Sequence, residues 1–339
     1  MQPIMKFAAT ALIVALGVGL AGCDRDDIVV KQTGFRGLGM AQVERASTLE
    51  RRDAQNQPPA PIDPVDKSGT PASKTYTNLK VLGDLDENEF LRLMTAITSW
   101  VAPDQGCNYC HNPDNLASDE LYTKVVARRM IQMTQQINGS WNKHVDGAGV
   151  TCYTCHRGQP VPANLWFSST VAQAHGFLGY TPDSKNHPGA LIDLASLPND
   201  PFTSLIDYAN EIRVISTTAL PDAETQRPSI KQTEVTYALM LHISQALGVN
   251  CTFCHNSRSF FAWDQSTPQR AIAWYGIRMV RDLNQNYLEP LKGVFPPNRL
   301  GPGGDAPKID CATCHQGVSK PLNGLNMVSS FPELTLVGK

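Results

Sequence analysis

Eight of the nine cysteines fall into four copies of one short pattern: Cys107-Asn-Tyr-Cys110-His111, Cys152-Tyr-Thr-Cys155-His156, Cys251-Thr-Phe-Cys254-His255 and Cys311-Ala-Thr-Cys314-His315. At this chain's cysteine and histidine frequencies, roughly 0.006 chance occurrences of C-x-x-C-H are expected, so four copies specify a function. The chemistry is covalent attachment of c-type haem. Two thiols add across the porphyrin vinyl groups, and the adjacent histidine becomes an axial iron ligand. Four sites imply four covalently bound haem c groups held by Cys107, Cys110, Cys152, Cys155, Cys251, Cys254, Cys311 and Cys314. The proximal ligands are then His111, His156, His255 and His315. Thioethers consume these thiols and leave only Cys23, so no disulfide staple is expected. Zinc binding and redox disulfides do not explain a histidine repeated next to each cysteine pair.

The second axial position decides what such a group can do. A thioether raises the reduction potential, a second imidazole lowers it, and a missing ligand opens the iron to substrate. Met94, Met130 and Met240 each lie on the apolar stripe of a predicted helix shortly before a site. A helix lying flat on one haem face would aim sulfur at iron from there. Methionine on such a stripe is ordinarily core, but Met94 and Met240 occupy matching places in two halves of the chain. Met133 reads as packing. For the fourth haem the residue pattern leaves His144 and Met279 as equal candidates. His242 points away from Met240 on the same helix and reads as structural, while His175 and His187 lie in loops.

The positioning elements follow from apolar spacing. Helices are predicted over Glu87–Val101 (Phe90, Met94, Ile97, Val101), Leu121–Ile137 (Val126, Met130, Met133, Ile137), Thr233–Leu247 (Tyr237, Met240, Ile243, Leu247) and about Ala271–Tyr287 (Trp274, Ile277, Met279). Thr267-Pro268 is a plausible start for the last. An internal repeat organises them. Asn108-Tyr-Cys-His-Asn112 matches Thr252-Phe-Cys-His-Asn256, and Thr154-Cys-His-Arg-Gly158 matches Thr313-Cys-His-Gln-Gly317. Arg129-Met130-Ile131 likewise matches Arg278-Met279-Val280. The expected class is mainly α, a multihaem cytochrome c with two haem-pair units, 84–162 and 230–325, and long loops. No strand alternation stands out. Residues 24–83 read as an extended, proline-rich arm, 163–229 as a loop-rich connection and 326–339 as a C-terminal tail.

The chain has 339 residues, 29 Lys and Arg against 31 Asp and Glu, and 18% charged residues. That balance carries no polyelectrolyte signature, so nucleic acid is excluded as a partner. The charged fraction lies below the usual ~25%, which points to surface covered by a cofactor, a partner or a membrane. Residues 1–23 read as an export segment: Lys6, an uncharged apolar run from Phe7 to Leu20, and small residues before Cys23. They resemble a bacterial lipoprotein signal in which Cys23 becomes the lipidated first residue, with Asp24 favouring retention at the inner membrane. The alternative is an uncleaved membrane anchor, although the run is short against the ~20 residues a spanning helix needs.

Taken together, the four paired sites, the methionine-bearing helices and Cys23 resemble the tetrahaem cytochrome c subunits of purple-bacterial photosynthetic reaction centres. Strong local matches are Val150-Thr-Cys-Tyr-Thr-Cys-His-Arg157-Gly158, Ser266-Thr-Pro-Gln-Arg-Ala-Ile-Ala-Trp274 and Gln32-Thr-Gly-Phe-Arg-Gly37. The resemblance covers nearly all of the chain past residue 23, most weakly at 163–229. It implies His–Met ligation through Met94, Met130 and Met240, and bis-histidine ligation of the fourth haem by His144, eight residues before Cys152. Met279 then packs nearby.

It further implies an electron carrier with no open iron, and therefore no enzyme. The carrier would sit on the periplasmic face of the inner (intracytoplasmic) membrane, docked on the L and M subunits with H. It would be re-reduced by a soluble c-type cytochrome or high-potential iron–sulfur protein. The alternative is an electron-transfer subunit of a periplasmic respiratory reductase. Such chains usually rely on more histidines than the four found outside these motifs. Arg157, Arg270 and Arg278 are candidates to pair with haem propionates.

Overall fold

A computed structural model of the chain describes residues 26–33, 40–168, 196–215 and 229–335. The expectations for Cys23, the export segment, His175 and His187 lie outside the described residues.

Nine helices are present among the described residues: α1 (Ala46–Gln55), α2 (Ala72–Thr75), α3 (Glu87–Val101), α4 (Tyr122–Ser140), α5 (Asn142–Val145), α6 (Cys152–His156), α7 (Ile230–Leu247), α8 (Pro268–Leu283) and α9 (Cys311–His315). The long helix α3 begins and ends where its apolar spacing predicts. Asp86 caps it by accepting from the Asn88 N–H at 2.9 Å, and Glu87 and Glu89 complement the positive end of its dipole. Two of its faces are apolar. Leu93, Ala96 and Trp100 are buried in protein, while the predicted stripe of Phe90, Met94, Ile97 and Val101 lines a large cavity. On α4 the predicted stripe of Val126, Met130, Met133 and Ile137 lines the same cavity.

Helix α7 starts three residues earlier than its apolar period suggests. Ser229 Oγ accepts from the Gln232 N–H at 3.1 Å, and Gln232 Oε1 accepts from the Ser229 N–H at 2.7 Å. This reciprocal capping box supplies the extra turn. Gly248 ends the helix in the left-handed region, φ 62°, where glycine carries no Cβ penalty. Helix α8 has Pro268 at its first position, as expected. Its C-terminal end widens into a π-helical turn, Asn284–Leu288. The buried Asn284 there donates to the Ile309 carbonyl and accepts from the Ile309 N–H, both at 2.9 Å. The segment leading into the fourth motif is held in place by these two bonds.

The arm departs from the expectation of an extended strap with little regular structure. Strands β1 (Ile28–Gln32) and β2 (Ala41–Arg45) form an antiparallel pair with Val30 opposite Val43, and α1 follows directly. Its attachments are polar, which is why no apolar period announces it. Asn250 Nδ2 donates to the Ala41 carbonyl at 2.6 Å, and Asn250 N–H donates to Gln42 Oε1 at 2.6 Å. Asn56, fully buried, donates to the Gln316 carbonyl at 3.2 Å.

The principal core joins Leu239 and Ile243 of α7, Met279, Val280 and Leu283 of α8, and Met133 and Ile137 of α4. Phe202, Leu205 and Ile206, within the connection expected to be all loop, fill this core from one side. A second cluster packs Val328, Phe331 and Leu334 onto Leu93, Ala96 and Trp100. There the Trp100 and Phe331 rings meet edge-on, 4.8 Å between centres.

Two outcomes follow. Leu283→Ala, at a fully buried position, should cost about 2–5 kcal/mol, read as a lower denaturant midpoint. Glu333 is buried, and its Oε1 has no hydrogen-bond partner among the described residues. Burial holds its carboxyl above the usual value of 4.5. The unfolded carboxyl ionises first as pH rises, so wild-type stability falls from about pH 4.5 upward until the folded group also ionises. Glu333→Gln should therefore raise the unfolding midpoint at neutral pH and lose that advantage below pH 4.5, in thermal melts across pH.

Candidate haem-binding centre

Two local geometries, each used twice, present the four motifs. Cys107 and Cys251 lie in 3₁₀ turns, Gly106–Tyr109 and Cys251–Phe253. In both, a threonine at the start of the next long helix braces the turn: Thr123 Oγ1 donates to the Tyr109 carbonyl at 2.5 Å, and Thr267 Oγ1 to the Phe253 carbonyl at 2.6 Å. The other two motifs are the one-turn helices α6 and α9. Thr154 Oγ1 accepts from the Thr151 N–H at 3.0 Å, as Thr313 Oγ1 does from the Asp310 N–H at 3.0 Å. Asp310 also caps α9 by accepting from the Ala312 N–H at 2.7 Å. Both helices stop at a left-handed residue, Arg157 (φ 51°) or Gln316 (φ 48°), followed by Gly158 or Gly317.

The same hydrogen bond fixes each motif histidine. His111 Nδ1 lies 3.0 Å from the Leu116 carbonyl and His255 Nδ1 2.8 Å from that of Phe260. His156 Nδ1 lies 2.9 Å from the Gln159 carbonyl and His315 Nδ1 3.0 Å from that of Val318. A carbonyl only accepts, so Nδ1 carries the proton and Nε2 is left as the metal-binding nitrogen. Burial lowers the His156 and His255 pKa values, and burial with the neighbouring His144 brings His315 down to about 4. These rings are therefore neutral, the form that ligates a metal.

Burial pushes the thiols of Cys110 and Cys254 up to about 11 and that of Cys152 to about 12. Burial therefore keeps these thiols protonated at neutral pH. Among the described residues no group of three or more His, Cys, Asp or Glu is arranged to hold a metal ion.

The first, second and fourth motifs open into one continuous cavity of about 1530 Å³, walled by apolar chains including Phe90, Val126, Ile131, Ile277 and Leu283. Protein interiors are close-packed, with few voids larger than a water molecule. An apolar chamber of this volume, bordered by three cysteine pairs and their histidines, fits large flat apolar groups attached through sulfur. Met94, Met130, His144 and Met279 line it too. Of the third motif only Phe253 reaches this cavity; Met240, Cys251, Cys254 and His255 do not. Met240 packs partly buried against the principal core, on the helix that runs through Gly248 into that motif.

The second and fourth motifs meet. The sulfurs of Cys155 and Cys314 are 2.8 Å apart. His144 stands across the cavity edge from His315, ring centres 6.1 Å apart and planes at 71°. His144 Nδ1 lies 2.9 Å from the Ile272 carbonyl, so its Nε2 is also the free nitrogen.

His242 is fully buried, edge-on to Phe202 at 4.6 Å, with Nε2 3.6 Å from Asp310 Oδ1. It supports the cap of α9 from behind, in keeping with the structural role read from its position on α7. The three candidate propionate arginines make contacts within the protein. Arg157 donates to the carbonyls of Gln55 and Thr154 and to Asn56 Oδ1, each at 3.1 Å. Arg270 lies 4.1 Å over the Trp263 ring and Arg278 3.6 Å over the Trp274 ring. The role of Arg157 as a clamp between the arm and two motifs was hidden from sequence reasoning, because Gln55, Asn56 and the Cys314 carbonyl lie more than a hundred residues away in the chain.

The family model for the photosynthetic reaction centre cytochrome C subunit matches residues 24–335. The chain is 48% identical over 331 residues to the photosynthetic reaction center cytochrome c subunit of Rubrivivax gelatinosus, covering 97% of this chain and 90% of that protein. It is 46% identical to the subunit of the same name from Thermochromatium tepidum, covering 98% and 82%. A cytochrome c-554 of Chloroflexus aurantiacus is more distant, 27% identical over 66% of this chain and 64% of its own length. With its four C-x-x-C-H motifs, each histidine leaving Nε2 free, the chain belongs to the photosynthetic reaction centre cytochrome c subunit family.

Proposed function

We propose that this chain relays electrons through four covalently bound haem c groups to the photooxidised bacteriochlorophyll pair of a photosynthetic reaction centre. When bound, each group supplies one iron that cycles between Fe(II) and Fe(III), while the protein sets ligands, burial and position. The four cysteine pairs hold the porphyrins, and His111, His156, His255 and His315 are the proximal ligands. Met94, Met130 and Met240 are the distal ligands of three haems, and His144 is that of the fourth. Placement of Met94 and Met130 on the cavity wall supports the first two. Two nitrogen–metal bonds of about 2 Å and two ring radii span about 6 Å between imidazole centres. The 6.1 Å separation of His144 and His315 supports that pair.

The observation that carries a relay is continuity. Three motifs share one cavity, and the second and fourth touch through Cys155 and Cys314. The residues that would hold groups at these motifs are thus neighbours in one chamber. The twice-used turn and helix geometries support an internal two-fold repeat of haem-pair units, 84–162 and 230–325. The membrane subunits L and M, with H, are the acceptor complex, and a small soluble c-type cytochrome or high-potential iron–sulfur protein is the donor. Cys23 is the lipidated residue that tethers the chain to the periplasmic face. Among the described residues no helix is long and apolar enough to cross a membrane. The relatives are reaction-centre subunits, which leaves the respiratory-reductase alternative unsupported.

A flash given to membranes containing this chain should bleach haem absorbance as an electron leaves for the bacteriochlorophyll pair; absence of any flash-induced haem oxidation overturns the assignment. Mass spectrometry of the purified chain should show four covalent porphyrins on a product beginning at a lipid-modified Cys23. In a redox titration, Met130→His should lower one midpoint and leave the other three in place, because imidazole replaces thioether at a single iron.

A further inference from the structure

The seat of His144 is made by a missing side chain. Gly276 lies in the middle of α8 and lines the cavity. A Cβ at that position would come 2.5 Å from His144 Cε1, 2.8 Å from Nδ1 and 3.1 Å from Nε2. The imidazole therefore lies directly on the backbone of α8, one helical turn from the Ile272 carbonyl that takes its Nδ1 proton at 2.9 Å. Together these contacts set the ring's position and direction. Glycine is a poor helix former relative to alanine, so this position trades helix propensity for close approach by the ring.

Three residues further along the same face of α8 is Met279. It is buried, 6% exposed, and lines the cavity that also holds His144, His315 and Cys314. Its neighbours Arg278 and Val280 match Arg129 and Ile131, which flank Met130. Helix α8 thus offers its haem what α4 offers another: a thioether on the cavity wall.

We infer that Gly276 is a positioning residue that selects His144 over Met279 as the sixth ligand of the haem on Cys311 and Cys314. This rests on His144 being that ligand. A methyl group at 276 pushes the ring off its seat, breaks its alignment with the Ile272 carbonyl and hands the open coordination position to the Met279 sulfur. The side chain that must yield is a ring at the end of its own short helix, and alanine favours α8, so the fold survives the change.

The test uses the haem-loaded chain. In Gly276→Ala, the ferric bis-imidazole paramagnetic resonance signal should disappear and the red-edge sulfur-to-iron absorption band should grow by about one third, from three thioether-ligated irons to four. One midpoint should move upward. Gly276→Ala combined with Met279→Leu should lose the added band. His144→Ala removes the imidazole without crowding the helix and should gain the same band. A Gly276→Ala protein that keeps its bis-imidazole signal overturns the inference, and so does one whose fourth iron stays open and binds carbon monoxide. If His144→Ala leaves all four haem spectra unchanged, His144 is not a ligand and the underlying assignment fails with it. Loss of the signal in His144→Ala together with its retention in Gly276→Ala refutes only the role of Gly276.

Discussion

Each motif histidine donates its Nδ1 proton to a backbone carbonyl three or five residues further along the chain, and much of the structure serves to place those carbonyls. An imidazole on a single Cβ–Cγ bond can turn. Tied at Nδ1 it cannot, and Nε2 then points in one direction only. The turn after each motif must therefore be rigid. At α6 and α9 this is achieved by a left-handed residue followed by glycine, and at the other two motifs by a tight turn closed from Asn115 N–H to the Asn112 carbonyl at 3.2 Å or from Ser259 N–H to the Asn256 carbonyl at 3.0 Å. His144 obeys the same rule through a carbonyl of α8, although no motif surrounds it.

The long helices have a double duty that sets the character of the core. Helix α3 buries Leu93, Ala96 and Trp100 against protein and turns Met94, Ile97 and Val101 to the cavity. Side chains therefore pack the interior on one side of the helix and border a chamber on the other. A chain with few charges and no cystine staple expected among its motif thiols relies on covalently held apolar groups to complete its interior. The polar arm closes the assembly differently. It reaches the second, third and fourth motifs through Asn56, Gln42 and their partners, with Arg157 as the joint. These bonds to backbone atoms resist displacement, since breaking one strands a buried polar group.

Much of this was legible in the residues. The attachment sites follow from covalent chemistry, which demands two thiols and a histidine at fixed spacing. The helices α3 and α4 were visible because an apolar stripe at helical period is a local signal, and their predicted stripes are the cavity walls. The start of α7 could have been read from Ser229 and Gln232, a capping signal outside the apolar period. The hairpin and α1 escaped because polar contacts leave no periodic trace, and the burial of Phe202, Leu205 and Ile206 escaped because proline, glycine and asparagine around them read as loop.

By itself the sequence determined which cysteine pairs can take porphyrin, which histidine adjoins each pair, and which helical faces are apolar, since each depends on residues within a few positions of one another. Only the tertiary structure set the His144 ring 6.1 Å from that of His315. It alone brought Cys155 against Cys314 and placed Gly276 beneath the His144 ring. Those relations join segments more than a hundred residues apart, and close packing of whole helices, which no local pattern encodes, sets their distances.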